Sequence, residues 1–357
     1  EWLPTSMAAI CWDTLRMMCT HRNKILPRSD AVLGSWAHII GEAQFLDEKL
    51  CEAAEITDDR QQWCTYWCMT TLTQVMTLHW KLLVECELLS PRELDYFYWY
   101  GEYLYSMTIM CRETLMSLSY ELEKMHVMDL NKELLLEAQN RIGKAGSQEE
   151  KQKIKTEMLA SAPKLPAPPD VNKIPFMLDA YAQRDMCRGL TRTSLASSRT
   201  GLDAVNCQKM ANSHCSWETR FMHRFQSFAA ITMPFPLTYE GFQNQLKDAS
   251  TGDEDEEGKL KITKSLVEMA GKFFTNARKH FEKIKDLDPA ELPRGGHLED
   301  RLPVARAKEN MRLAITCWAS TTKLANAVKV DKEAEERTTK VVLDSSLSAH
   351  YPTLSVV

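Results

Sequence analysis

Hydrophobic residues recur every three or four positions along most of the chain, a spacing that places them on one face of an α-helix. In the N-terminal part this spacing predicts three helices before residue 90. A fourth helix begins at the sequence SPREL, where Ser90 caps the helix, Pro91 takes the first helical position and Glu93 closes a capping box. We expect this helix to break at residues 129–131.

The C-terminal part shows the same helical spacing, which predicts helices over residues 175–197, 238–247, 259–286 and 303–330. The last two are long and are joined by a loop rich in Pro and Gly, so we expect an antiparallel hairpin of the kind that solenoids stack. The predicted apolar stripes are Leu266, Met269, Ala270, Phe273, Ala277, Phe281 and Ile284 in the first helix, and Ala307, Met311, Ala314, Ile315, Trp318 and Leu324 in the second.

Strand and helix patterns do not alternate along the chain, which argues against an α/β fold. No repeat of fixed period is visible in the sequence. The tail, VVLDSSLSAHYPTLSVV, could supply one extended strand. We therefore predict an all-α fold, an irregular helical bundle or solenoid-like scaffold of long helices.

One long segment separates the helical halves. Its sequence, KAGSQEEKQKIKTEMLASAPKLPAPPDVNKIP, is charged first and Pro-rich afterwards, and its prolines disfavour helix and sheet alike. We interpret it as a linker or an ordered strap. The predicted domains are an N-terminal helical lobe over residues 1–161, a Pro-rich linker or strap over 162–175 and a C-terminal helical lobe over 176–357.

The helix that follows Ser90 carries aromatic side chains on every face, among them Tyr96, Trp99, Tyr100 and Tyr103. A helix that is apolar all round is usually buried on several sides, so one interpretation is a central helix in a bundle. Tyr and Trp are also the usual anchors of protein interfaces, so the other interpretation is that one face meets another protein. The sequence leaves both open.

Composition restricts the class of protein. The chain has 357 residues, 44% of them hydrophobic, which is ample for a packed core. Its net charge of −5 argues against nucleic acid as the main partner. No apolar run reaches the roughly 18–20 residues of a membrane span. The 11 Cys form no regular framework, which indicates reduced thiols and a cytoplasmic location. The abrupt start, EWLPTS, indicates a fragment or a processed chain.

Motifs for catalysis are weak. The sequence QNRIGKAG at residues 139–146 approaches the pyrophosphate loop of GNAT acetyltransferases, but it follows a helix, whereas phosphate binding needs a helix N-terminus. Gly143 is better explained as a helix C-cap. Cys207, His214 and Cys215 lack a fourth ligand at the usual spacing, so we predict no metal site. A Cys/His enzyme stays an alternative, because such residues need only be close in space.

The segment RFMHRFQSFAAITMPFPLTYEGFQNQL resembles the large auxiliary subunit of the NatC N-terminal acetyltransferase complex. That family has an Arg-Phe-x-x-Phe element, a Met-Thr-Pro-Pro-like turn and a Tyr-x-x-Phe helix. This sequence departs from the pattern by inverting Thr and Met and by placing Phe235 between the two prolines. The matching residues are Arg224, Phe225, Phe228, Met233, Pro234, Pro236, Tyr239 and Phe242.

Three other segments resemble the same family in the same order along the chain. They are YFYWYGEYLYSM, which holds the aromatic residues named above, FTNARKHFEKIKDL with His280 and Phe281, and LSAHYPTLSVV with His350 and Pro352. The resemblance covers roughly residues 90–357. The family's subunit is considerably longer, so this chain resembles its C-terminal half.

The resemblance implies a non-catalytic scaffold. Such a subunit holds a GNAT catalytic subunit and a small Sm-like subunit, and helps place them at the ribosome to acetylate N-termini that begin with Met and a bulky apolar residue. Acetyl-CoA would then bind the catalytic partner, and this chain would hold no cofactor. We expect no membrane and no sequence-specific nucleic acid as partners. The alternatives are a generic helical interaction scaffold unrelated to acetylation, and the Cys/His enzyme.

Overall fold

The computed structural model describes a large part of the chain, namely residues 94–199, 256–287, 298–330, 341–344, 346–348 and 350–356, together with Thr70, Thr73, Thr77 and Trp80. The predicted helix over residues 238–247 lies outside the described residues, as does most of the sequence before residue 90.

Five α-helices and a small β-ribbon make up the regular structure that is described. The helices are α1 (Leu94–Lys144), α2 (Gln148–Ser161), α3 (Pro175–Arg199), α4 (Glu256–Asp286) and α5 (Leu298–Val330), with a 3₁₀ helix at Val171–Lys173 before α3. The ribbon pairs β1 (Val341–Asp344) with β2 (Thr353–Val356) in antiparallel register, with Val341 opposite Val356. The all-α prediction is confirmed, and the tail supplies two strands where one was predicted.

Helix α1 runs unbroken for 51 residues, so the break predicted at residues 129–131 is wrong. Asp129 and Asn131 do not compete with the helical backbone, because their side chains have other partners. Lys132 Nζ lies 3.0 Å from Asp129 Oδ1, and Asn131 Nδ2 donates to the carbonyl of Pro163 at 3.2 Å. Gly143 also lies inside α1, so the C-cap predicted there is wrong by at least one residue.

Helix α2 occupies the charged half of the segment that we interpreted as a linker, and that part of the interpretation is wrong. The helix begins with a capping arrangement that the sequence contains as Ser-x-x-Glu. Ser147 Oγ accepts from the backbone N–H of Glu150 at 3.2 Å, and the Glu150 carboxylate accepts from the N–H of Gly146 at 3.2 Å. The Pro-rich half has no regular structure before residue 171.

The core lies around α3, which packs against α1, α4 and α5. Its buried side chains come from both sides of the Pro-rich strap and include Trp80, Tyr98, Leu104, Met177, Met186, Phe274, Phe281 and Ala314. Helices α3 and α4 approach closely at Gly189, where a Cβ would lie 2.5 Å from Phe274 Cε1. Core contacts therefore cross the predicted domain boundary, while the division into domains itself stays a prediction.

The predicted apolar stripe of α4 agrees with the burial of Leu266, Ala270, Ala277, Phe281 and Ile284. The stripe of α5 is partly wrong, because Ile315 and Trp318 are 42% and 47% exposed. Cys317 and Thr321 are buried instead. Thr321 can be buried because its hydroxyl donates to the carbonyl of Cys317 at 2.8 Å, which satisfies the polar group.

Helices α4 and α5 are antiparallel, as the reach of the chain between them requires. Gly271 and Trp318 are neighbours, since a Cβ at Gly271 would lie 3.7 Å from Trp318 Cδ1. Gly271 lies about 23 Å before the end of α4, and Trp318 lies about 30 Å after the start of α5. A parallel pair would need a connection of about 53 Å, whereas residues 287–297 span at most about 40 Å when fully extended.

Candidate interaction surfaces

The aromatic residues predicted on α1 are buried within the chain. Trp99, Tyr100 and Tyr103 are at most 9% exposed, and the rings of Tyr100 and Tyr103 stack with centroids 6.3 Å apart. Tyr96 lies in α1, but its side chain is not among those described. The buried side chains have little area left for a partner, and they hold α1 in the centre of the bundle.

The C-terminal tail is attached to the same core through Tyr351. The Tyr351 ring is buried and stacks on Tyr98 with centroids 6.1 Å apart. Its hydroxyl donates a hydrogen bond to Gln183 Oε1. Tyr98 donates to the carbonyl of His350 at 2.7 Å. The predicted residue His350 thus contributes its backbone to the attachment of the tail, and the predicted Pro352 is buried next to it.

A buried ionic cluster joins α1 to α3, and the sequence analysis did not identify it. Glu102, which is 1% exposed, accepts from Arg188 Nε at 2.7 Å and lies 4.0 Å from Arg192 Nη1. Arg188 also lies 3.6 Å from Asp185. Both guanidinium groups lie over the ring of Phe273 on α4, at 5.5 Å and 4.6 Å from its centroid. The cluster therefore links three helices by charge and by cation–π contact.

Burial controls the protonation of two groups beside this cluster. Burial raises the pKa of Asp185 to about 6, although the positive charges of Arg184 and Arg188 act in the opposite direction. Burial, followed by the positive charges of Lys283 and Arg184, lowers the pKa of His280 to about 4. His280 was predicted as an interaction residue, and it stacks on Tyr181 with centroids 5.6 Å apart. Its ring is neutral at pH 7.

The described thiols are not arranged for nucleophilic catalysis. Cys111, Cys187 and Cys317 are buried, and burial raises the pKa of Cys111 and of Cys317 to about 12. A nucleophilic Cys needs a lowered pKa and access to substrate. Within the described ranges, His, Cys, Asp and Glu do not gather in threes that could hold a metal ion. The other cysteines, including Cys207 and Cys215, lie outside these ranges.

A surface suited to protein contact lies on the second half of α1, together with α2. Here α1 leaves the core and carries exposed apolar side chains among solvated charges of both signs. Exposed apolar groups that cluster on one element are typical of protein interfaces. We call this region the arm, and its exposed apolar residues are Met125, Met128, Leu130, Leu135, Leu136 and Leu159.

The predicted site residues between Arg224 and Phe242 all lie outside the described residues, and their role stays a prediction. Phe281 is described and is 1% exposed, in the core face of α4. None of the described helices combines the length and the apolarity that a membrane crossing needs.

The described elements define a class of protein, an all-α, solenoid-like scaffold whose helices pack through broad apolar faces. The family model described as "NAA35-like, TPR repeats" matches residues 5–354, and the chain belongs to this family. No curated protein matches the chain.

Two solved structures share the fold. A chain of the crystal structure of the NatC complex bound to Gag peptide and CoA matches with a TM-score of 0.57 and 16% sequence identity. A chain of the NatC complex bound to Arl3 peptide and CoA matches with a TM-score of 0.59 and 16% identity. Each match covers 90% of this chain and 44% of the solved chain. This chain therefore spans less than half the length of those relatives.

Proposed function

We propose that the chain is a non-catalytic auxiliary subunit of a NatC-type N-terminal acetyltransferase. In this proposal it holds a GNAT catalytic subunit and a small Sm-like subunit, and it helps to place them at the ribosome. The complex acetylates nascent chains that begin with Met and a bulky apolar residue, in the cytoplasm. Acetyl-CoA binds the catalytic partner.

The observation that carries the proposal is the family match over almost the whole chain. The likeness to chains of NatC complexes supports the same fold and assembly type. Two features of the described residues fit a binding role. The charged groups inside the bundle join helices, and the arm presents apolar side chains to solvent.

The test is affinity purification of the full-length protein from its own cells. We expect a GNAT subunit and an Sm-like subunit to co-purify in fixed proportion. Co-purification of other proteins without either subunit would contradict the proposal and favour a scaffold unrelated to acetylation.

The contribution of the arm can be mapped in the same experiment. Leu135 and Leu136 are 46% and 60% exposed, so changing both to Asp leaves the core intact. Leu347, at 62% exposed, lies between the ribbon strands and provides a control for adding charge at an exposed Leu. We expect the Leu135→Asp/Leu136→Asp variant to capture less of the partner subunits, and the Leu347→Asp variant to capture the same amount as the unmodified protein.

A further inference from the structure

A groove of about 560 Å³ lies between α4 and α5. The α4 side contributes Val267, Gly271 and Thr275, and the α5 side contributes Trp318, Thr322 and Ala325. Among these six residues, the indole of Trp318 is the one large side chain. The volume lies within the roughly 300–1,000 Å³ that is usual for binding pockets.

Trp318 is positioned as an anchor for a partner. It is 47% exposed, although it lies one position from the buried Cys317. Its ring lies beside Gly271, with Cδ1 and Nε1 3.7 Å from where a Cβ would be, which is ordinary contact distance. Ile315, one turn earlier on α5, is 42% exposed. Trp is one of the residues most enriched among the hot spots of protein interfaces, where it becomes desolvated near the centre of the contact.

Two lysines set the charge of the groove. Lys272 and Lys279 line it from α4, and Glu268 lines it one turn before Lys272. Within the described part of the chain, neither lysine forms a salt bridge. The two ammonium groups project from positions seven residues apart, which is about 10.5 Å along the helix. The groove is therefore positive over two helical turns and negative at one end.

We propose that this groove binds an amphipathic, acidic helix of a partner protein. A large apolar side chain of that helix packs on Trp318, and two acidic residues seven positions apart face Lys272 and Lys279. A helix fits because two antiparallel helices present a groove along their common axis, into which a third helix packs by its ridge of side chains. The spacing of the lysines matches two turns of such a helix.

This inference deepens the proposed scaffold function and rests on it in one respect, that the chain binds proteins. The test uses a synthetic peptide and no acetyltransferase subunit. Failure of peptide binding would therefore sink the groove proposal and leave the co-purification result of the proposed function unaffected.

The probe is a fluorescein-labelled peptide of about 18 residues on an Ala background, with Leu on one face and two Glu seven positions apart beside it. Its affinity for the full chain is measured by fluorescence anisotropy. The variants are Trp318→Ala and the double variant Lys272→Glu/Lys279→Glu. The control is Lys308→Glu/Lys323→Glu, which makes the same change in net charge at exposed positions of α5 that do not line the groove.

We expect Trp318→Ala and the groove charge variant each to weaken binding by at least about tenfold, as truncation of a hot spot does. The control should bind as the unmodified chain does. A peptide with Lys in place of both Glu should bind the groove charge variant more tightly than it binds the unmodified chain. If the Trp318→Ala variant does not fold, the binding of the Lys peptide to the groove charge variant and to the unmodified chain tests the proposal by itself.

Three results would overturn the proposal. The first is peptide affinity that is unchanged in both groove variants. The second is binding of single-stranded poly-U RNA that depends on Lys272 and Lys279, with no binding of the peptide. The third is self-association of the chain that Trp318→Ala abolishes, measured by analytical ultracentrifugation, because it would show that a second copy fills the groove.

Discussion

Helices α3 and α4 approach closely at Gly189, and this contact makes a prediction with an unusual sign. Gly189→Ala adds one methyl group to a helix, which by itself favours the helical state by about 1 kcal/mol. In this chain the new Cβ would lie 2.5, 2.6 and 2.8 Å from three atoms of the Phe274 ring. Gly189 therefore lets α3 and α4 approach, and a substitution that usually stabilises a helix should destabilise this protein.

The magnitude follows from the geometry. Ordinary contact begins at 3.4 Å, so the ring or the helix must move by about 0.9 Å to accommodate the methyl group. Phe274 is 1% exposed, so its ring is enclosed by other side chains. Overpacking of this kind typically costs about 1–3 kcal/mol, and the gain in helix propensity offsets part of it. We expect a net loss of about 1–2 kcal/mol in the free energy of unfolding.

The assay is urea denaturation followed by circular dichroism, with Gly143→Ala as the matched control. Gly143 also lies within a helix, but its Cβ would meet nothing within 4 Å, so the control should be unchanged or stabilised by up to about 1 kcal/mol. Phe274→Leu shortens the ring side chain, and in that background Gly189→Ala should cost less, which a double-mutant cycle measures. If Gly189→Ala stabilises the chain as much as Gly143→Ala does, the packing argument is wrong.

Two further predictions concern the ionic groups. Glu102→Ala removes the carboxylate partner of the buried Arg192 and the half-buried Arg188, and it should cost about 3–5 kcal/mol in urea denaturation. Glu157→Ala, which removes an exposed ion pair with Arg141, should cost at most about 1 kcal/mol. Equal costs would show that the cluster is not buried in solution. The second prediction follows from the pKa of His280, which is about 4 in the folded chain against 6.5 ordinarily. The unfolded chain then binds this proton first, so the contribution of His280 to stability falls as pH drops from about 6.5 to about 4, and His280→Gln should remove that contribution from the pH dependence. The same slope in both proteins would refute the assignment.

The helices themselves could largely be predicted, because helical spacing is a local property of the sequence. The start of α3 at Pro175 and the extent of α4 agree with the prediction to within a few residues. The helix α2 was missed although Ser147 and Glu150 mark its start, because the prolines that follow dominated the interpretation of the segment. Ile315 and Trp318 were assigned to the core because they are apolar and follow the helical spacing. Thr321 takes a buried position instead, because its hydroxyl bonds its own helix.

The surfaces and the ionic cluster could not be derived from one sequence. Arg184, Arg188 and Arg192 stand four residues apart on α3, which is visible by inspection, but Glu102 is distant in sequence and only the fold brings it near. Pairing across helices depends on packing, and local patterns do not encode it. The groove needs the exact neighbourhood of Trp318 and Gly271, which is also a tertiary property. The main predicted segment, from Arg224 to Phe242, lies outside the described residues.

The central claim, that this chain supports an acetyltransferase without being one, is tested most directly by acetylation of a peptide that begins with Met-Leu. The assay compares the isolated full-length chain, the isolated GNAT subunit and the purified complex, each with acetyl-CoA. We predict no activity for the isolated chain and higher activity for the complex than for the GNAT subunit alone. Acetylation of the peptide by the isolated chain, or a complex no more active than its GNAT subunit, would contradict the account.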